Sequence, residues 1–254
     1  MSQPTVISLA IGLTIDDDGL HLGDIIPDDV KRQRLDVERN TLEGWSQSAR
    51  HKLLCEFAAR YLPRLFDAWK KNKGALNSHM CMLNYLVSNG IPYFTRFIKQ
   101  PVAQNMVAIQ LERMATSNDY PLGYDAQDLG EIAQFLSSIL MYQGADDAAP
   151  AHVKVVLPKL KTVMQRYRDG FADETAERCY DYLRGDPIAQ MMHDTIKKKI
   201  NEDMNKCGVE TCEATVKTHP MKGCAKCRVA RYCGPEHQKQ AWKKHKTVCF
   251  PCDF

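Results

Sequence analysis

Residues 224–249 read CAKCRVARYCGPEHQKQAWKKHKTVC. Four cysteines and two histidines crowd into this short basic stretch, and Cys207 and Cys212 stand just upstream. Thiols packed this densely serve as a disulfide staple, as a redox or nucleophilic centre, or as metal ligands. Spacing is the first discriminator. Cys207 and Cys212 are parted by four residues, Cys224 and Cys227 by two, Cys233 and His237 by three, and His245 and Cys249 by three. These eight side chains form four pairs, and tetrahedral zinc takes two pairs per ion. Gly208, Gly223 and Gly234 stand where chain reversals beside a metal are expected. QKQAWKKHK, residues 238–246, reads as a short helix that would carry His245 and Cys249 on one face. His219 and Cys252 lie close by but fit none of the pairs.

The remaining sequence bears on the choice. The opening, MSQPTVISLAIGLTIDDDG, has no basic segment before its short apolar run, which makes it a poor secretory signal. No run of 18 apolar residues predicts a membrane-spanning helix. An intracellular home, nucleus or cytoplasm, is therefore expected, and those reducing compartments argue against disulfides among the ten cysteines. The segment also has few apolar residues to fold on: Val216, Val229, Tyr232, Trp242 and Val248 make at best a minimal core. Modules of this size need a staple. Binding of structural zinc is worth on the order of 10 kcal/mol or more, so the metal would be the fold. Eight ligands for two ions leave no open position for a reacting water, so the two Zn²⁺ are expected to be structural, not catalytic. From 207 to 254 there are nine Lys/Arg against four Asp/Glu, a formal +5. Six thiolates around two Zn²⁺ lower that to +3, which weakens a nucleic-acid reading of the basic tail.

The pattern C-x2-C-x4-Y-C-x3-H-Q-x3-W-x2-H-x3-C, with a cysteine pair upstream, resembles the MYND zinc finger. Tyr232-Cys233, Gln238, Trp242, His245-Lys246 and Cys249 stand at that family's offsets. Three positions depart from it: His237 replaces the commoner cysteine, the first pair is spaced more widely, and Ala241 stands where an acidic residue often precedes the tryptophan. The resemblance implies interleaved pairs. One zinc would take Cys207, Cys212, Cys233 and His237, the other Cys224, Cys227, His245 and Cys249. It also implies protein binding: MYND fingers dock short proline-containing peptides as an added strand, which implicates Gln238 and Trp242 with Tyr232 nearby. Lys239, Lys243 and Lys244 would favour an acidic flank on such a peptide. Trp242 could equally belong to the core of the finger, or do both.

Upstream the pattern is helical. Residues 1–41, with Asp16, Asp17, Asp18, Asp28 and Asp29, read as a partly ordered lead-in, 42–203 as an all-helical domain and 204–254 as the finger. Leu53, Leu54, Phe57, Tyr61, Leu65 and Trp69 recur at spacings of three and four, the stripe one helix face buries. Pro63 predicts a kink or a break there. Ser78 is the expected N-cap of the next helix and Asn89-Gly90 its end; Pro92 and Pro101 are expected to open further helices. Four more follow to residue 204. The expected fold class is mostly α, either a bundle or armadillo-like helical hairpins, since residues 86–119 resemble one armadillo-like unit.

No G-x-S-x-G, Walker, dinucleotide-binding or H-E-x-x-H motif occurs, and no catalytic residue is identified. His21, His51, His79, His152 and His193 are isolated in sequence, and Cys55, Cys81, Cys179, Met80 and Met82 read as core. The expected function is an intracellular adaptor or scaffold, with transcriptional regulation as one setting for it. The alternatives are a MYND-containing protein methyltransferase, for which the strands and cofactor motif of a SET domain are missing, or a nucleic-acid binder through the finger. Oligomeric state is not predicted.

Overall fold

The computed structural model describes residues 3–13 and 25–254, so the expectations for Asp16, Asp17, Asp18 and His21 lie outside the described residues. Among the described residues the helices are α1 (Gln3–Ala10), α2 (Asp28–Glu43), α3 (Gln47–Lys71), α4 (Ser78–Ser88), α5 (Pro92–Phe97), α6 (Met106–Thr116), α7 (Ala126–Gln143), α8 (Pro150–Arg166), α9 (Phe171–Leu183), α10 (Pro187–Met204) and α11 (Pro235–His245). Pro101–Ala103 form a 3-10 turn, and β1 (Lys222–Gly223) pairs antiparallel with β2 (Arg231–Tyr232). The chain is mostly α, in line with its periodicity. It divides into two compact units: Met1–Leu65 with Asn89–Gln100 and Lys198–Phe254, and Phe66–Ser88 with Pro101–Lys197. No helix among the described residues is long and apolar enough to cross a membrane.

Local chemistry sets the helix ends, in places differently from expectation. The cap of α4 is Asn77, not Ser78: Asn77 Oδ1 accepts from the Met80 amide at 2.9 Å, and Ser78 is the buried first residue of the helix. Asparagine and serine cap about equally well, so sequence alone could not choose between neighbours. Gly90, in the left-handed region at φ 61°, turns the chain after α4, and Pro92 opens α5. Pro101 opens only the 3-10 turn; Asn105, left-handed at φ 67°, interrupts the helix, and α6 begins at Met106. Asp125 caps α7 by accepting from the Asp128 amide at 2.8 Å.

Pro63 does not break α3, which runs unbroken from Gln47 to Lys71. A proline inside a helix costs about 3 kcal/mol. Beyond it Leu65, Phe66 and Trp69 are all buried, and each such side chain is worth about 1.5–3 kcal/mol once removed from water. Burial wins, and the stripe carries on.

The second unit is a bundle around α7, whose residues Leu129–Leu140 are almost all buried. It packs on α4, α6 and α9, while α8 packs on α6 and α9. Trp69 is fully buried, edge-on to Phe135 at 5.8 Å and tilted on Phe66 at 5.5 Å. The Arg113 guanidinium stacks 4.5 Å from the Trp69 ring and donates to the Trp69 carbonyl at 2.7 Å and the Lys70 carbonyl at 3.2 Å. It thereby satisfies carbonyls that the end of α3 leaves without helical partners. Cys55, Cys81 and Cys179 are buried, as are Met80 and Met82. Cys179 donates to the Ala133 carbonyl at 3.1 Å, and burial pushes its thiol up to about 12, the behaviour of an inert small hydrophobe. In the first unit Ile7 and Ile11 of the N-terminal segment and Leu35 and Leu42 of α2 are buried, and α1 packs on α2.

Candidate metal centre

Three short pieces of chain build the finger. The first is the loop from Cys207 to Ala214: Cys207 N donates to Ala214 O at 2.9 Å, Cys212 N donates to Val209 O at 2.9 Å, and an isolated bridge joins Lys206 and Thr215. The second is the β1–β2 hairpin. At its tip Cys224 N donates to Ala230 O and Arg228 N to Cys224 O, both at 2.8 Å, and Arg228 takes a left-handed φ of 56°. This reversal turns two cysteines, with two residues between them, toward one point. The third is α11, which starts at Pro235, where a missing N–H costs nothing.

Gly208 joins the first piece to the second. Its N–H donates to Arg231 O at 2.8 Å, and a Cβ added there would lie 2.8 Å from Tyr232 Cε1. Tyr232 is buried, so its ring has little room to yield. Gly208→Ala is expected to destabilise the finger by roughly 1–3 kcal/mol through overpacking. Chelator competition on the full chain checks this: the variant should release zinc at lower chelator than wild type.

The structure gathers the eight paired side chains into two groups, Cys207, Cys212, Cys233 and His237, and Cys224, Cys227, His245 and Cys249. Within each group the donor atoms all lie within 4.8 Å of one another. Tetrahedral zinc, with sulfur at about 2.3 Å and nitrogen at about 2.0–2.1 Å, requires edges of about 3.8 Å between sulfurs and about 3.6 Å from sulfur to nitrogen. The Cys212–Cys233 and Cys224–Cys249 sulfurs are 3.8 and 3.7 Å apart. Cys207 Sγ to His237 Nδ1 and Cys227 Sγ to His245 Nε2 are each 3.5 Å, and Cys233 Sγ to His237 Nδ1 is 3.1 Å. The sulfur separations are far beyond a disulfide of about 2.05 Å, and all ten cysteines are free. The two histidines differ in the nitrogen they present, Nδ1 from His237 and Nε2 from His245, a detail with no signature in spacing.

The charges fit the same ion. Burial raises the Cys207 thiol, but the amides of Val209 and Cys233 and the His237 ring outweigh it and bring it down to about 7. Cys233 beside it is pushed up to about 11 by burial and by the Cys212 and Cys207 sulfurs. In the second group burial raises Cys224, yet the Cys227 amide, the His245 ring and the Lys226 amide leave it below the ordinary thiol value. Cys249 is pushed up to about 12 by burial and by Cys227 and Cys224. Neighbouring thiolates repel, so the last of each set ionises readily only beside a cation. Each group thus offers a Cys3His set that could hold one zinc ion.

Other expectations fare differently. The helix ends at His245, so Cys249 lies beyond it on irregular chain, and the two do not share a helix face. His219 is exposed beside Thr218, outside both groups. Cys252 is buried and donates to the Cys227 carbonyl at 2.9 Å. Of the five expected core residues only Tyr232 is buried; Val216 and Trp242 are 39% and 43% exposed, while Val209 and Ala214 are buried instead. Gln238 is half-buried, one helical turn before Trp242. A groove of about 420 Å³ runs beside α11, lined by Val209, Ala230, Tyr232, Ala241 and Val248, with Glu210 and Lys244 paired across its rim at 2.9 Å. Gln238 and Trp242 are not part of its lining. The groove has no sequence signal, because three separate segments build its walls.

Comparison with known proteins bears on residues 205–249, which match the family model described as MYND finger. The chain is similar to Egl nine homolog 1 of Homo sapiens, 50% identical over 38 residues that make up 15% of this chain and 9% of that protein. It is likewise similar to Egl nine homolog 1 of Mus musculus, 50% identical over 38 residues, 15% of this chain and 10% of that protein. The matched segment thus covers about a tenth of those relatives and falls in the finger region. No solved structure matches the chain. With the family match and two donor sets of zinc dimensions, residues 205–249 are a MYND finger, a zinc-binding protein-interaction module.

Proposed function

We propose that the chain is an intracellular adaptor or scaffold, without enzymatic activity, whose two-zinc finger docks short proline-containing segments of other proteins. The observation that carries this reading is Trp242. It is 43% exposed on α11, a helix with no buried residue of its own. A large aromatic left in water on so small a module is costly to keep and suited to stacking on a proline ring. Gln238 stands one turn earlier, able to bond a peptide backbone, and Tyr232 contributes to the adjoining apolar groove. Exposed Lys239, Lys243 and Lys244 surround the tryptophan and favour acidic flanks on the partner. Each zinc set supplies four protein donors, so a zinc held by all four keeps no position for a reacting water.

A peptide array probed with the zinc-loaded chain is expected to enrich proline-containing segments. Trp242→Ala should lower affinity for the enriched peptides about 30-fold, the weight of an aromatic hot spot worth about 2 kcal/mol. Unchanged binding in that variant, or binding that collapses with salt and shows no peptide preference, would overturn the reading.

A further inference from the structure

Tyr93 lies on α5, more than 150 residues before the finger's last ligand, and is 1% exposed. Its hydroxyl accepts from the Phe250 amide at 2.8 Å. It stands 3.0 Å from each of the Val248 and Phe250 carbonyl oxygens, which take its one proton. These two residues flank Cys249. One side chain therefore grips the backbone on both sides of a single metal-ligating cysteine.

Cys249 needs that grip more than its companions do. Cys224 and Cys227 sit in the hairpin knuckle, and His245 closes α11. After His245 the backbone bonds run out at Val248: Lys246 N donates to Trp242 O at 2.9 Å, Thr247 N to Lys244 O at 3.3 Å and Val248 N to His245 O at 3.1 Å, and residues 249–254 have no regular structure. The same tail is tied to α5 twice more. Arg96 Nε donates to the Phe254 carbonyl at 3.3 Å, and the Phe97 and Phe254 rings meet edge to face at 5.2 Å. It also braces a second ligand, because Cys252 Sγ donates to the Cys227 carbonyl.

We infer that Tyr93 is a positioning residue for the Cys224–Cys227–His245–Cys249 metal site, so that occupancy of this site and the ordered state of α5 stabilise each other. Linkage makes the effect reciprocal: whatever α5 adds to metal affinity, bound metal returns to α5. Among the described residues Tyr93 Oη bonds only to Val248 and Phe250, and the other set, Cys207, Cys212, Cys233 and His237, is predicted to be indifferent to it.

The test uses the full chain loaded with zinc, challenged with increasing chelator and then with a thiol alkylator, each cysteine being quantified by mass spectrometry. In Tyr93→Phe, which keeps the ring and removes the hydroxyl, Cys224, Cys227 and Cys249 should lose protection at roughly 10- to 100-fold lower chelator, the usual cost of losing a group that supports a ligand. Cys207, Cys212 and Cys233 should keep the wild-type profile, and Cys179 in the second unit should stay protected. Phe250→Pro, which removes the amide donor from the other side of the contact, should give the same selective loss. Equal weakening of both sets together with exposure of Cys179 would show a merely structural role and overturn the inference, as would no change in either set. Wild-type chain that zinc protects at neither set would overturn the metal assignment and this inference with it.

Discussion

Stripping the metal from the full chain is expected to unfold residues 205–249 while the helices of the second unit keep their structure. Apart from its cysteines, the finger buries only Val209, Ala214 and Tyr232, and α11 buries nothing. Three side chains, one of them alanine, supply a few kcal/mol at most. Two zinc ions contribute on the order of 10 kcal/mol or more each, so metal binding outweighs apolar burial in this segment. After chelation Cys207, Cys212, Cys224, Cys227, Cys233 and Cys249 should all become open to alkylation. Cys179, fully buried in the helical bundle, should not. Most of the far-ultraviolet helical signal should remain, since α4 and α6–α9 owe nothing to metal. Protection of the six finger thiols in metal-free chain would contradict this.

The largest single-residue effect on stability is expected at Trp69. Truncating a buried aromatic costs about 3–5 kcal/mol. Trp69→Ala would also strip the faces of Phe66 and Phe135 and leave Arg113 without its stacking partner. That guanidinium is already depressed to about 10 by burial, partly offset by Glu112, so removing its aromatic cover leaves a charge that is expensive to keep inside. A fall in melting temperature on the order of 10 °C follows. Trp242→Ala, at an exposed position, should change stability by less than about 0.5 kcal/mol. Comparing the two variants by thermal unfolding separates a tryptophan that holds the fold from one proposed to hold a partner. A small shift at Trp69 would mean that the bundle repacks around the gap.

Much of this was legible in the sequence, for reasons that differ by element. The helices were legible because their apolar stripes are local and periodic; PIAQMMHDTIKKKINEDM spans α10 from end to end. Four ligand pairs were legible because each closes over a gap of two to four residues, a distance at which spacing alone nearly fixes geometry. What could not be read was everything that depends on parts far apart in the chain. The unbroken course of α3 through Pro63 depends on tertiary burial beyond it. Val209 and Ala214 are buried, rather than Val216 and Trp242, because the hairpin and the metal loops decide which side chains face inward. Hydrophobicity alone cannot choose Val209 over Val216, and it favours Trp242 over Ala214. Tyr93 gave no sign at all, since its partners Val248 and Phe250 lie more than 150 residues away.

The most direct measurement is the metal content of the intact chain by native mass spectrometry, read beside its free-thiol count. Two zinc ions per chain, with all ten cysteines reduced, is the expected result. A chain that carries fewer than two ions when purified with zinc present, or whose finger cysteines are joined sulfur to sulfur, would contradict the two-site fold from which the rest is built.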